Sequence, residues 1–325
     1  MATTSHEKRR CLVTGGAGFI GSHVVDLLLA QGHAVCVLDN MSTGKRRHVP
    51  STVPLYELDI NDDLAFLFER ERPEYVFHHA AQVSVSASVK EPEKDVRDNL
   101  LGMVHLLEAC RRHGVKRVIY ASSGASYGEP ISLPLREEGR TCPLSPYGIS
   151  KWMGESYLYY YRHQYGLEYV ALRYANVFGP RQDPHGEAGV VAIFTKKLLS
   201  GEAATIFGDG EQTRDFVFVK DVARANEMAM NTDLTPGLFP VFNVSTQTQV
   251  TVNALYAILR RQCASSLDPQ YGPKRGGDVY HASLANEKIR TGMGWKPQVS
   301  LEAGIRETVE YFKAMAGAAD GSATV

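Results

Sequence analysis

An apolar strand that runs into closely spaced glycines and then into a helical pattern constrains this chain more than any other feature. The segment reads Cys11-Leu-Val-Thr-Gly15-Gly16-Ala-Gly18-Phe19-Ile20-Gly21-Ser-His-Val24, and Leu27 and Leu28 continue the apolar face of the helix. Glycines permit the tight turn and let backbone N–H groups at the helix N-terminus approach a pyrophosphate. Gly16, Gly18 and Gly21 stand at dinucleotide-binding spacing, and Gly15, Gly18 and Gly21 also form a regular three-residue series. A second strand, His33-Ala-Val-Cys-Val-Leu-Asp39-Asn40, ends in the acid that such a turn requires. Asp39, with Asn40 beside it, is expected to hold the adenosine ribose hydroxyls and to repel a 2′-phosphate, which favours NAD over NADP. Arg46 and Arg47 follow within reach of a phosphate.

Strands and helices alternate through the first half, the pattern of a parallel sheet covered on both faces. Strands are expected near 10–15, 33–38, 54–58, 75–78, 116–122 and 168–174, with helices near 19–31, 62–71, 97–113 and 147–166. Two further strand ends face the cofactor. Asp59 and Ile60 would meet the adenine, and Ala80, Ala81 and Gln82 would line the site with small residues. The fold class is therefore α/β: a Rossmann-type doubly wound parallel sheet with a smaller C-terminal α/β substrate-binding lobe. We assign residues 1–176 and about 217–245 to the NAD-binding domain, 177–216 and about 246–313 to the second lobe, and about 314–325 to a flexible tail.

Tyr147 and Lys151, in Pro-Tyr-Gly-Ile-Ser-Lys, are four residues apart, so on a helix they share a face and the ammonium sits beneath the phenol. The cation favours phenolate and moves the tyrosine toward use as a base near neutral pH. Ser123 stands upstream as a further hydroxyl. Together with the Gly-rich turn, these residues point to hydride chemistry at a bound nicotinamide.

The 325 residues, 44% of them hydrophobic, suffice for one large core or two linked lobes. A net charge of −1 gives no footprint for nucleic acid or an anionic membrane. Five cysteines without paired or ligand spacing read as core residues of a reducing compartment. No apolar run reaches membrane-spanning length, and a cytoplasmic protein is expected. The adjacent His78 and His79 at a strand end point to opposite faces, so no metal site is expected.

Further blocks accompany these elements: Asn99 in Asp-Asn-Leu-Leu-Gly, Tyr-Ala-Ser122-Ser123-Gly-Ala-Ser-Tyr127-Gly, Leu172-Arg-Tyr174-Ala-Asn176-Val-Phe-Gly-Pro-Arg, Ile-Phe207-Gly-Asp-Gly-Glu-Gln-Thr-Arg214-Asp-Phe, Arg275-Gly-Gly-Asp278 and Gly-Trp295-Lys-Pro. In this order they resemble the extended short-chain dehydrogenase/reductases, and within them the NAD-dependent nucleotide-sugar epimerase/dehydratase family, over roughly residues 9–313. The resemblance implies bound NAD and a sugar-nucleotide substrate. It assigns Ser123, Tyr147 and Lys151 to catalysis, and Asn99, Ser122 and Tyr174 to the nicotinamide half of the cofactor. In the second lobe it assigns Asn176, Arg214, Arg275 and Asp278 to phosphates and ribose, with Phe207, Val190 and Val191 near the base. Ser84 and Ala282 join the sugar site. Uridine is the expected base.

Members that dehydrate sugars carry an Asp-Glu pair at the third and second positions before the tyrosine equivalent to Tyr127, and decarboxylating members carry a Glu at the second. Here Gly124 and Ala125 stand there, unable to move a proton. The resemblance therefore implies C4 epimerisation of a UDP-sugar, with UDP-glucose and UDP-galactose as substrates. The chain departs from some relatives at Val83 and Gly124. A UDP-glucuronate epimerase, a decarboxylase, a 4-keto-sugar reductase and a non-catalytic NAD sensor are the alternatives. A small Ala282, where a tyrosine would exclude an N-acetyl group, extends the expected substrates to UDP-GlcNAc and UDP-GalNAc. The family's dimer, a four-helix contact through the helices near 97–113 and 147–166, is also implied.

Overall fold

A computed structural model describes residues 7–185, 189–234, 239–274 and 279–321. Among these residues a seven-stranded sheet has the order β3-β2-β1-β4-β5-β6-β11, formed by Leu55–Tyr56 (β3), Ala34–Leu38 (β2), Arg10–Thr14 (β1), Tyr75–His78 (β4), Arg117–Ser123 (β5), Glu168–Tyr174 (β6) and Val241–Val244 (β11). The pairs β1–β2, β1–β4, β4–β5 and β2–β3 are parallel, as continuous apolar strands buried on both faces require. Thr14 is level with Leu38 on one side and His78 on the other, and His78 is level with Tyr120. This register brings Gly15, Asp39 and His79, which follow β1, β2 and β4, level with Ala121 of β5 at one end of the sheet.

Helices α1 (Phe19–Ala30), α2 (Ala65–Glu71), α5 (Gly102–Arg112) and α6 (Pro146–Tyr165) flank the strands. Leu12, Val76 and Val118 of the sheet, Phe68 of α2, Met103, Leu106 and Leu107 of α5, and Leu158 and Tyr161 of α6 share one core. Full burial of each such side chain contributes about 1.5–3 kcal/mol. The helix expected near 97–113 is composite: a π-helical turn, Arg97–Leu101, precedes α5. Two short helices, Val85–Lys90 (α3) and Pro92–Val96 (α4), lie just before it.

The chain divides into two compact units, 1–126 with 145–173 and 223–242, and 127–144 with 174–222 and 243–325. Residues 127–144, 174–176, 217–222 and 243–245, read from sequence as part of the first domain, fall in the second unit. The reason is local pairing: Leu135 N–H donates to Ser283 O at 2.8 Å, Ala285 N–H donates to Leu135 O at 2.8 Å, and Phe216–Phe218 (β10) pairs in parallel with Asn176–Phe178 (β7). The second unit also holds Val190–Leu199 (α7), Thr205–Phe207 (β8) and Thr213–Arg214 (β9), and ends in the helix Leu301–Gly321. The tail expected to be flexible from 314 thus continues a helix as far as 321, consistent with the high helix propensity of its alanines.

Candidate active site

The Gly-rich turn joins β1 to α1. Gly15 has φ +67°, and a Cβ there would lie 2.7 Å from Ala80 N, so the turn packs directly on the segment that follows β4. Gly18 is the N-cap of α1 and has no side-chain cap, which leaves the donors of the Phe19-Ile20-Gly21 turn without a protein side chain to satisfy them. An uncapped helix start at the sheet edge fits the pyrophosphate of NAD.

Asp39, only 6% exposed, accepts hydrogen bonds from Ala17 N and Met41 N, both at 2.9 Å. Its carboxylate is thereby fixed against the turn, and each oxygen retains lone-pair capacity for a ribose hydroxyl. Asn40 donates to Asp59 Oδ2 at 2.8 Å. Burial works against the Asp59 carboxylate, but hydrogen bonds from Asn61 and Asn40 outweigh it and hold its pKa below the usual value. Ile60 is buried in the core beside them.

Ser145 caps the start of α6 by accepting from Gly148 N at 3.1 Å, and Pro146 occupies the first helical turn. Tyr147 and Lys151 follow on one face. Gly154, a turn further on, lets the helix lie against β5, since a Cβ there would come within 2.5 Å of Tyr120 Oη. The result is a buried ammonium: Lys151 Nζ donates to Ala121 O at 2.9 Å and lies 5.1 Å from the Tyr120 ring centroid and 5.9 Å from that of Tyr147. Burial lowers the Lys151 pKa to about 8, against an upward pull from Asp95. The Ser123 hydroxyl accepts from Ala125 N at 3.1 Å and is near enough to the Tyr147 phenol to favour its ionised form.

One expectation needs correcting. The Tyr147 pKa is raised, because burial outweighs the opposing influence of the nearby Ser123 hydroxyl and Asp95 adds to the rise. The Lys151 ammonium is directed at a backbone carbonyl, so the neighbouring cation does not by itself offset the effect of burial on Tyr147. The Ser122 hydroxyl donates to Glu155, which forms a buried ion pair with Arg173 of β6, at 2.9 and 2.6 Å. That hydroxyl joins β5 to α6.

Asn99, 3% exposed, is bound twice to the Gln82 backbone, accepting from its N–H at 2.8 Å and donating to its carbonyl at 3.0 Å. Ser84 caps α3 through Ala87 N at 3.0 Å. Sequence reasoning missed Asp95, which is fully buried and accepts from Gln82 Nε2, Asn99 Nδ2 and Ser150 Oγ at 2.9, 3.0 and 2.6 Å. The one signal available was its four-residue spacing to Asn99, since Glu91, Glu93, Lys94, Arg97 and Asp98 around it give the look of a solvated charged segment. Glu155 was missed in the same way, one helical turn beyond Lys151.

In the second unit, Asn176 N donates to Asp215 O at 2.9 Å. Val190 and Val191 open α7, and Phe207 ends β8 partly exposed. Arg214 Nη1 donates to Thr213 O at 2.9 Å and to Tyr280 O at 3.3 Å. Ala282 is half-buried, with its N–H on Thr213 O at 3.2 Å, and the hydroxyl of nearby Tyr280 is engaged by Asp209 at 2.7 Å. Tyr174 is buried at the end of β6. Arg275 and Asp278 lie outside the described residues.

Such a sheet edge, with a Gly-rich turn, a ribose-side acid and a buried Tyr-Lys pair, defines a nucleotide-dependent oxidoreductase-type site of the short-chain dehydrogenase class. The model of the NAD-dependent epimerase/dehydratase family matches residues 11–245, and the chain belongs to that family. It is 44% identical over 311 residues to a UDP-glucose 4-epimerase of Mycolicibacterium smegmatis, covering 94% of this chain and 98% of the relative. A Thermotoga maritima UDP-glucose 4-epimerase solved with UDP-glucose superposes with a TM-score of 0.91 at 48% identity, covering 94% of this chain and 99% of that one. A UDP-N-acetylglucosamine 4-epimerase from Methanobrevibacter ruminantium, solved with UDP-N-acetylmuramic acid, gives 0.90 at 38% identity, covering 95% and 100%.

Proposed function

We propose that this protein is an NAD-dependent UDP-sugar 4-epimerase that interconverts UDP-glucose and UDP-galactose, and the corresponding N-acetyl sugars, through a transient 4-keto sugar. The observation that carries this reading is the buried Tyr147–Lys151 pair on one face of α6, its ammonium held on Ala121 O of the strand that carries Ser123, with Gly124 and Ala125 following. Oxidation at C4 needs a hydroxyl-proton acceptor, which Tyr147 is placed to be. Elimination or decarboxylation needs further acids and bases, which residues 124 and 125 do not supply.

Bound NAD would supply the reversible hydride transfer at C4 that side chains cannot perform. Gly15, Gly18, Phe19, Ile20, Gly21, Asp39, Asn40, Asp59, Ile60, Ala80, Ala81, Gln82 and Asn99 would hold it. Tyr147 takes the C4 hydroxyl proton, directly or through Ser123, and gives it back when the new C4–H bond forms. Only the phenolate form of Tyr147 can take that proton, and the Lys151 ammonium stabilises that form until the transfer neutralises it. Asn176, Arg214, Phe207, Val190 and Val191 are assigned to the nucleotide diphosphate, where Arg214 offers charge-assisted donors. The small Ala282 supports acceptance of N-acetyl sugars.

A cytoplasmic homodimer completes the proposal. It is supported by exposed apolar side chains near α5 and on α6, Val96, Leu101, Ile149 and Tyr160, and by free thiols at all five cysteines. The test is incubation of the purified protein with a panel of UDP-sugars, without added cofactor, and chromatographic separation of the C4 epimers. Interconversion without net NADH supports the reading. A product lacking water or carbon dioxide, or NADH matching product, overturns it.

A further inference from the structure

Three segments of the first unit converge on one buried carboxylate. Asp95, on α4, accepts from the Gln82 side chain in the segment after β4, from Asn99 in the π-helical turn, and from Ser150, the residue before Lys151 on α6. Asn99 in turn grips the Gln82 backbone through both its N–H and its carbonyl. A carboxylate removed from water is costly unless it is hydrogen-bonded or paired with charge, and here it has three donors and a cation within electrostatic reach.

We propose that Asp95 is a positioning residue of the epimerase reaction: it locks the Gln82 segment to the helix that carries Tyr147 and Lys151, and it is the counter-charge that keeps the Lys151 ammonium charged in a buried site. The inference rests on the epimerase reading above. Around the ammonium stand Tyr147 on its own helix, Tyr120 on β5, and His78 and His79 at the end of β4. Burial lowers the pKa of both histidines, so they add no cation near neutral pH. Asp95 is the anion whose field raises the Lys151 pKa against desolvation.

Asp95→Asn separates charge from shape. The asparagine oxygen can still accept from Gln82 and Asn99, while its NH2 group faces Ser150 Oγ, whose hydroxyl can turn to accept. Titration of the protein carrying 13C-labelled lysine, followed by NMR, reads Lys151 without substrate. The wild-type signal is expected near the value of about 8. In Asp95→Asn it should move down by about one pH unit, because an opposite charge has been removed. Turnover of UDP-glucose by the holoenzyme at about pH 8 should fall about tenfold in kcat with KM within about twofold. Ser150→Ala, which removes one hydrogen bond and no charge, should lower kcat by a smaller factor and leave the Lys151 titration in place.

An unmoved Lys151 titration or a wild-type kcat in Asp95→Asn overturns the proposal. Should that variant not fold, Asp95→Glu carries the test, since it keeps the charge and misplaces the acceptors. A kcat reduced about tenfold with the titration held supports the proposal, and wild-type kcat overturns it. A wild type inactive on every UDP-sugar removes the epimerase reading instead, and the substrate-free titration still decides whether Asp95 sets the charge of Lys151.

Discussion

Lys151 Nζ donates to Ala121 O at 2.9 Å, which ties α6 to the strand that delivers Ser123 two residues later. One hydrogen bond thus joins the element that carries the proposed base to the strand that carries its neighbouring hydroxyl. It also commits the ammonium to the protein, which is why the cation alone does not make Tyr147 a phenolate.

Tyr147→Phe keeps the ring packing and removes the proton acceptor. Turnover of UDP-glucose should fall by about a hundredfold or more with little change in UDP-sugar affinity. Steady-state kinetics with calorimetric binding checks this, and wild-type kcat in the variant contradicts it.

Lys151→Met makes an activity and a stability prediction of opposite sense. Turnover should drop by about a hundredfold. The folded-state pKa of about 8 lies below the ordinary 10.5, so the fold binds fewer protons than the unfolded chain between these values. Stability owed to this group therefore rises with pH through that window, and below it the buried lysine costs the fold. Relative to wild type, the methionine variant should gain most near about pH 7 and lose that advantage toward about pH 10. Urea denaturation at both values reads the difference, and a gap independent of pH contradicts the account.

Glu155 and Arg173 form an ion pair with both side chains 2% exposed. Glu155→Gln leaves the guanidinium without its counter-charge in the interior, and the expected loss is about 3–5 kcal/mol. Denaturant unfolding measures it, and a loss below about 1 kcal/mol would show that the site relaxes.

The strands were legible because parallel buried strands are continuous apolar runs, as in Val35 to Leu38 and Val118 to Tyr120. The Gly-rich turn and Tyr147–Lys151 were legible because their chemistry is local in sequence. Helices α3 and α4 were not: Val85–Lys90 and Pro92–Val96 are each too short to show a helical period. Asp95 was hidden because its partners are set by tertiary packing, Ser150 lying 55 residues away. The direction of the Tyr147 shift was hidden too, since spacing reveals a neighbouring cation and says nothing of burial.

Ala282→Tyr tests the sugar pocket. A phenol at this half-buried position should abolish turnover of UDP-GlcNAc and UDP-GalNAc and spare UDP-glucose and UDP-galactose. Parallel assays on the four substrates decide it; an equal fall in both classes, or a wild type that never accepts an N-acetyl sugar, removes the pocket argument.

The account stands on hydride leaving and returning to the same carbon within one closed site. UDP-glucose carrying deuterium at C4, converted by the purified protein in ordinary water and analysed by NMR, tests this directly. The account predicts UDP-galactose with deuterium retained at C4 and none lost to solvent. Washout of the label, or epimerisation with solvent hydrogen at C4, would contradict it.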